Sequence, residues 1–152
     1  MVDIKLLKQL REETQASIAD CRKALEETGD YKKALEWLKK RGMEKAEKKS
    51  DRQTSQGLVE AYIHQNGKVG ALVEVLCETD FVARTEEFKK LSHEIAMQVA
   101  AMNPKNVESL LKQEYIRDSS VTIEQLIKSV IGKLGENIRV IEFTRYELGA
   151  NS

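Results

Sequence analysis

The strongest constraint on this chain's fold is a β-hairpin pattern that runs from Leu58 to Leu76. Apolar residues alternate with other residues in both halves, as expected for strands that bury one face. Between the halves lie Asn66 and Gly67, which tolerate positive φ, so the sequence predicts a type I′ turn. The apolar positions that share one face of the returning strand are Val69, Ala71, Val73 and Val75.

Two amphipathic helices are predicted to cover this hairpin. One begins at Thr85, beside two acidic residues that favour a helix start, and extends to Met102. The other is Ile123–Leu134, stopped by Gly135. The short segment between them, residues 105–121, predicts one helical turn and a loop.

A third alternating stretch, Ile138–Leu148, predicts another strand, with Arg139 and Arg145 on one face. The apolar residues assigned to the opposite face are Ile138, Val140, Tyr146 and Leu148. Together these elements predict an α+β core domain, residues 57–152, with a three-stranded antiparallel sheet covered by helices.

The first 43 residues predict three short helices that form a ubiquitin-associated-like bundle. The expected N-caps are Asp3, Ser17 and Asp30. Gly29 and Gly42 are placed at the ends of the second and third helices. A bundle this small suits docking to a partner better than catalysis. Residues 44–56 are rich in both signs of charge and predict a linker, helical in part.

Composition excludes several classes of function. The chain has 25 Lys and Arg against 25 Asp and Glu, which argues against nucleic-acid and anionic-membrane binding. No apolar run approaches a membrane span, and no hydrophobic signal segment opens the sequence. Cys21 and Cys77 lack disulfide or zinc spacing, which fits a reducing compartment. We therefore expect a cytoplasmic protein with no direct nucleic-acid or membrane partner.

Patterns of catalysis and metal binding are missing from the sequence. His93-Glu94 resembles the start of a zinc-protease helix, but Met97 occupies the second ligand position. His64 is distant from His93, and no Ser or Cys nucleophile is paired with a base in a familiar order. We expect no enzyme activity, no metal and no cofactor.

The segment Cys77–Arg84 joins the hairpin to the first core helix, and we call it the junction. It places Phe81 and Val82 where turns are usually polar. One interpretation buries both side chains in the core, as is usual for Phe. The other displays them for function. Because the helix start at Thr85 makes residues 79–84 a separate turn, Phe81 need not follow the buried stripe.

Three motifs extend over most of the chain. The junction contains Cys77-Glu78-Thr79-Asp80-Phe81-Val82-Ala83. The N-terminal region contains Leu10-Arg11-x-x-Thr14, then Asp20-Cys21-Arg22-Lys23-Ala24-Leu25. The C-terminal region contains Lys133-Leu134-Gly135-Glu136-Asn137-Ile138, then Phe143-x-Arg145-Tyr146-Glu147-Leu148-Gly149. Together these motifs resemble the elongation factor Ts family of bacteria.

Two departures from the family pattern accompany this resemblance. Gln15-Ala16-Ser17 stands where the family usually has Gly-Ala-Gly, and Ile18-Ala19 stands for a frequent Met-Met pair. Many longer members carry a second core unit or a helical hairpin before the C-terminal motif. This chain has only a short segment there, so it resembles a minimal form with one core unit.

The resemblance implies a guanine-nucleotide exchange factor that binds elongation factor Tu·GDP and promotes GDP release. The junction residues that it implies for partner binding are Thr79, Asp80, Phe81 and Val82. Those that it implies in the N-terminal domain are Leu10, Arg11, Thr14, Ile18, Ala19, Asp20 and Arg22. The Phe81 ring would insert between side chains of the GTPase and disturb its Mg²⁺ and phosphate contacts.

Other functions fit parts of the sequence. The N-terminal bundle alone suggests a small protein-binding adaptor without exchange activity. The lysines of the linker suggest an RNA-associated protein, which the net charge of zero disfavours. We also predict a homodimer through the core sheet, because so small a sheet leaves apolar surface uncovered.

Overall fold

The computed structural model describes residues 2–150, so the outer limits of the predicted domains lie outside the described residues. The fold is α+β, as predicted, with three N-terminal helices followed by a three-stranded antiparallel sheet and further helices. In chain order the elements are α1 (Ile4–Thr14), α2 (Ile18–Thr28), α3 (Tyr31–Lys48), β1 (Gln56–Ile63), β2 (Val69–Cys77), α4 (Asp80–Ala83), α5 (Glu86–Met102), α6 (Val107–Lys112), β3 (Glu114–Tyr115), β4 (Asp118–Thr122), α7 (Ile123–Leu134) and β5 (Arg139–Glu147).

The three N-terminal helices begin where the sequence predicts. The side chains of Asp3, Ser17 and Asp30 each accept a backbone N–H from the first turn of the following helix. Gly29 ends α2 in the left-handed conformation, as predicted. The bundle has its own small core, formed by Leu10, Cys21, Ala24, Leu25, Ala34 and Leu38.

The predicted end of the third helix at Gly42 is wrong, because α3 continues to Lys48. Gly42 lies against Gly132 of α7, and a Cβ added to Gly132 would be 3.3 Å from the Gly42 Cα. Further along α3, Ala46 is buried in the core beneath the sheet. The longer helix thus gains contacts with the core, and the predicted 44–56 linker begins inside α3.

The hairpin of β1 and β2 is confirmed, but its turn is not type I′. A type I′ turn needs positive φ at both central residues, whereas here only Gly67 has it, at +72°. The Gly67 N–H donates to the His64 carbonyl over 2.8 Å. The Asn66 side chain accepts the Lys68 N–H over 2.9 Å. Asn66 therefore stabilises the turn through its side chain, and Gly67 alone of the two central residues adopts the left-handed conformation.

The third strand is confirmed, but the predicted faces of its second half are wrong. The register between β2 and β5 shifts at Ile141, which has no partner between Val140 and Glu142. This bulge moves the following residues by one position, so they exchange faces. Arg145 now lies on the covered face with Val140, and its Nε donates to the Ala100 carbonyl over 3.0 Å. The residues whose predicted face is wrong are Arg145, Tyr146 and Leu148.

Residues 105–121 contain more structure than the predicted turn and loop, namely α6 and the small hairpin of β3 and β4. The buried side chain of Gln98 organises this hairpin. Its carboxamide donates to the Glu114 carbonyl and accepts the Ile116 N–H, both over 3.0 Å. A strand of two residues is too short to show alternation, so the sequence does not reveal it.

The two faces of the sheet differ. One face packs against α5, α6 and α7, where the largest fully buried side chains are Phe88, Ile95, Leu110 and Ile123. The other, which we call the outer face, carries the exposed apolar residues Val59, Ile63, Leu72, Tyr146 and Leu148. A groove of about 480 Å³ runs along it. Within residues 2–150, no helix combines the length and apolar character needed to cross a membrane.

Candidate partner-binding site

The junction contains a single helical turn, α4, between two threonine N-caps. The Thr79 hydroxyl accepts the Val82 N–H over 3.3 Å. The Thr85 hydroxyl accepts the Phe88 N–H over 3.2 Å at the start of α5. Each cap satisfies a backbone donor that the helix itself leaves free. The predicted separation of this turn from the helix that starts at Thr85 is confirmed.

Neighbouring apolar side chains of α4 have opposite environments. Val82 is 5% exposed and packs in the main core, whereas Phe81 is 82% exposed. Successive helical residues are rotated by about 100°, so α4 directs Val82 toward the core and Phe81 toward solvent. The interpretation that buried both is right for Val82 and wrong for Phe81. Beside the ring, exposed Asp80 forms an ion pair with Arg84 over 2.7 Å.

The junction is also held by Glu136, which belongs to the C-terminal motif and has no role predicted from the sequence. Its Oε1 accepts the backbone N–H groups of Glu78 and Thr79 over 3.1 and 3.0 Å. Its Oε2 accepts the Thr79 hydroxyl over 2.7 Å. We call this set of three hydrogen bonds the Glu136 clamp. The signal in the sequence was an acidic residue directly after the helix stop at Gly135.

A second set of hydrogen bonds runs in the opposite direction. The Glu78 carboxylate accepts the Asn137 backbone N–H over 2.6 Å and lies 3.7 Å from the Arg52 guanidinium. Asn137 is 3% exposed. Its side chain donates to the carbonyls of Ser50 and Arg52, over 3.3 and 2.9 Å. The end of the linker, the start of the junction and the entry to β5 are therefore tied together.

Cys77 is a structural thiol rather than a reactive one. Burial, together with the nearby Glu136 carboxylate, raises the pKa of the Cys77 thiol to about 11. It therefore remains protonated at neutral pH and donates to the Thr79 carbonyl over 3.2 Å. Across the part of the chain that the structure describes, no group of three or more His, Cys, Asp or Glu residues is placed to hold a metal ion.

The N-terminal candidates divide into exposed and internal residues. The exposed members are Arg11, Ile18, Ala19 and Arg22. Leu10 has no accessible surface, so in the folded chain it contributes to the bundle core and cannot touch a partner. Thr14 is half-buried, and its hydroxyl donates to the Leu10 carbonyl over 2.7 Å. These two residues can act on a partner only by shaping the surface around them.

Asp20 is used within the bundle. Its carboxylate pairs with Lys45, and this hydrogen bond holds the pKa of Asp20 below its usual value. The pair joins α2 to α3. Among the hydrogen bonds and ion pairs described for residues 2–150, none links the N-terminal candidates to the junction candidates.

Comparison with known proteins identifies the family. A family model described as Elongation factor TS matches residues 78–152. An elongation factor Ts from Rippkaea orientalis is 45% identical over 195 aligned residues, which cover 97% of this chain and 78% of that relative. The chain belongs to the elongation factor Ts family. The family relatives from Thermotoga neapolitana and Coprothermobacter proteolyticus are 42% and 44% identical, and 98% of each is covered. These alignments are longer than the chain, so the relatives contain residues that have no counterpart here.

Proposed function

We propose that this chain is an elongation factor of protein biosynthesis that acts in the cytoplasm and promotes GDP release from elongation factor Tu. Family membership supports this role, and the exposure of Phe81 carries the argument. A ring that is 82% exposed keeps its apolar surface available for burial against a partner. The chain acts by binding and not as an enzyme, with no metal or cofactor of its own.

The size of Phe81 is sufficient for this task. Full burial of a Phe side chain contributes roughly 1.5–3 kcal/mol relative to leaving it exposed. A ligand shifts an equilibrium only through its differential affinity for the two states. For exchange, it is enough that part of this binding energy is gained in the nucleotide-free state and not in the GDP-bound state. A differential of about 1.4 kcal/mol already changes a release rate tenfold. Phe81, with Asp80 beside it, would act by disturbing the Mg²⁺ and phosphate contacts of the GTPase.

The N-terminal bundle supplies the second contact in this proposal. Ile18 is 53% exposed and offers an apolar anchor, and Arg11 and Arg22 are exposed on the same bundle. Leu10, Thr14 and Asp20 support this surface from inside. Binding must be reciprocal, so the chain weakens GDP binding by the same factor by which GDP weakens binding of the chain.

The proposal is tested by release of a fluorescent GDP analogue from purified elongation factor Tu. The wild-type chain should accelerate release. Phe81→Ala should reduce that acceleration by roughly tenfold or more, with a nearly unchanged melting temperature because the ring is exposed. Met102→Ala removes another exposed apolar side chain away from the junction and should have no effect on release.

Two results would contradict this role. Absence of acceleration by the wild-type chain would overturn the proposed function. A large fall in the melting temperature of Phe81→Ala, with normal release per folded molecule, would show that Phe81 stabilises the fold and does not insert into the GTPase.

We further propose that two copies associate through the outer face of the sheet. Val59, Ile63, Leu72, Tyr146 and Leu148 are each at least 50% exposed and lie on this face or at its end. Pairing two such faces would remove apolar surface from water symmetrically.

A further inference from the structure

We propose that Glu136 is a positioning residue for nucleotide exchange, which sets the orientation in which the junction presents Phe81. This inference rests on the proposed function. Glu136 uses both carboxylate oxygens on the junction, with three hydrogen bonds between 2.7 and 3.1 Å to Glu78 and Thr79. None of the ion pairs described within residues 2–150 includes Glu136. Its described contacts with the junction are therefore all to neutral donors.

The link from Glu136 to Phe81 passes through Thr79. The Thr79 hydroxyl donates its proton to Glu136 and accepts the Val82 N–H with a lone pair. Because a hydroxyl has one proton, its donation to Glu136 leaves the oxygen free to cap α4. A single helical turn is unstable on its own. Thr79 is the N-cap of α4, so its contacts help to set the orientation of this turn and of Phe81, together with the buried side chains of Val82 and Ala83.

Glu136 is itself anchored on both sides, so it can fix the position of the junction. It follows Gly135, which ends α7 with a φ of +77°. It precedes Asn137, whose backbone N–H donates to the Glu78 carboxylate over 2.6 Å. The Glu136 carboxylate thus accepts N–H groups of the junction, and the Glu78 carboxylate of the junction accepts the N–H group of Asn137. Loss of the Glu136 carboxylate would leave two N–H groups of the junction without these acceptors while the Glu78 contact remains.

The test compares Glu136→Ala, Glu136→Gln and Phe81→Ala in the GDP-release assay, at saturating concentrations of the full chain. Glu136→Ala should lower the maximal release rate by about tenfold. Glu136→Gln keeps one acceptor oxygen for the backbone N–H groups, so it should retain an intermediate rate. Glu44→Ala removes an exposed glutamate of α3 and should leave the rate unchanged. Equal rates for the wild type and both Glu136 variants would overturn the positioning role.

The double variant Phe81→Ala/Glu136→Ala separates positioning from general damage. If Glu136 acts through Phe81, its replacement should cause no further loss once the ring is absent. A further tenfold loss in the double variant would overturn the inference, since Glu136 would then act independently of the ring. Hydrogen exchange at the Thr79 amide of the free chain should be faster in Glu136→Ala, and an unchanged rate would also count against it. Failure of the wild-type chain to accelerate release overturns the proposed function and this inference together.

Discussion

At the scale of single residues, Gln15 carries a conformational cost that can be removed. It ends α1 with a φ of +58°, a conformation that disfavours residues with a Cβ. Gln15→Gly should therefore raise the free energy of unfolding by about 0.5–1 kcal/mol, measured by urea denaturation. Gln9→Gly, within the same helix, should instead lower it by about 1 kcal/mol. Destabilisation by Gln15→Gly would mean that the hydrogen bond from its side chain to the Glu12 carbonyl, 2.9 Å long, outweighs the strain.

The exposed residues of the candidate site can be predicted from the sequence more easily than the residues that support them. Phe81 stood out because an apolar residue preceded a clear helix start. Glu136 did not, because its contacts with the junction are distant in sequence and leave no local pattern. Leu10 and Ile18 both follow helical spacing, yet one is buried and the other is 53% exposed. Periodicity alone does not specify which side of a short helix packs against the bundle core, because that depends on the neighbouring helices.

At the scale of elements, the crossing of α3 and α7 depends on two glycines that are not equivalent. A Cβ on Gly42 would meet no atom within 4 Å, so Gly42→Ala should raise the free energy of unfolding by up to about 1 kcal/mol through helix propensity. A Cβ on Gly132 would lie 3.3 Å from the Gly42 Cα, and the larger Gly132→Val should separate the helices and destabilise the chain by about 1–3 kcal/mol. Thermal and urea unfolding of both variants would measure this. Equal effects from the two positions would contradict the close approach.

The elements that sequence reasoning predicted well are those with long periodic patterns, such as α5, α7 and the strand pair β1 and β2. The wrong predictions fall where a contact with another element decides the local structure. Gly42 looks like a helix stop but is a packing residue within α3. In β5, a single unpaired residue, Ile141, reverses every later assignment of faces. Neither a helix crossing nor a bulge is encoded in local composition, because both depend on the opposing element.

At the scale of the whole molecule, the outer face of the sheet predicts self-association. A stable interface buries on the order of 800 Å² per partner. The exposed apolar residues of the outer face would supply part of that buried area. Light scattering at high micromolar concentration should report the mass of two chains. Leu72→Glu, on the central strand, should yield monomers, whereas Ile116→Glu, a similarly exposed position on the β3–β4 hairpin, should not. A monomeric wild-type chain at that concentration would exclude the dimer.

The continuous α3 has a further consequence for how the chain would engage a GTPase. Because this helix extends without interruption from the bundle into the core, the surface around Ile18 and the junction around Phe81 would act in the proposed complex as two binding sites at a fixed spacing. Once one surface had bound, the effective concentration of the other would be set by a helix and not by a flexible tether. Lengthening such a spacer would weaken the complex without altering any contact residue. The distance between the two surfaces would then influence the overall affinity, independently of the residues in either surface.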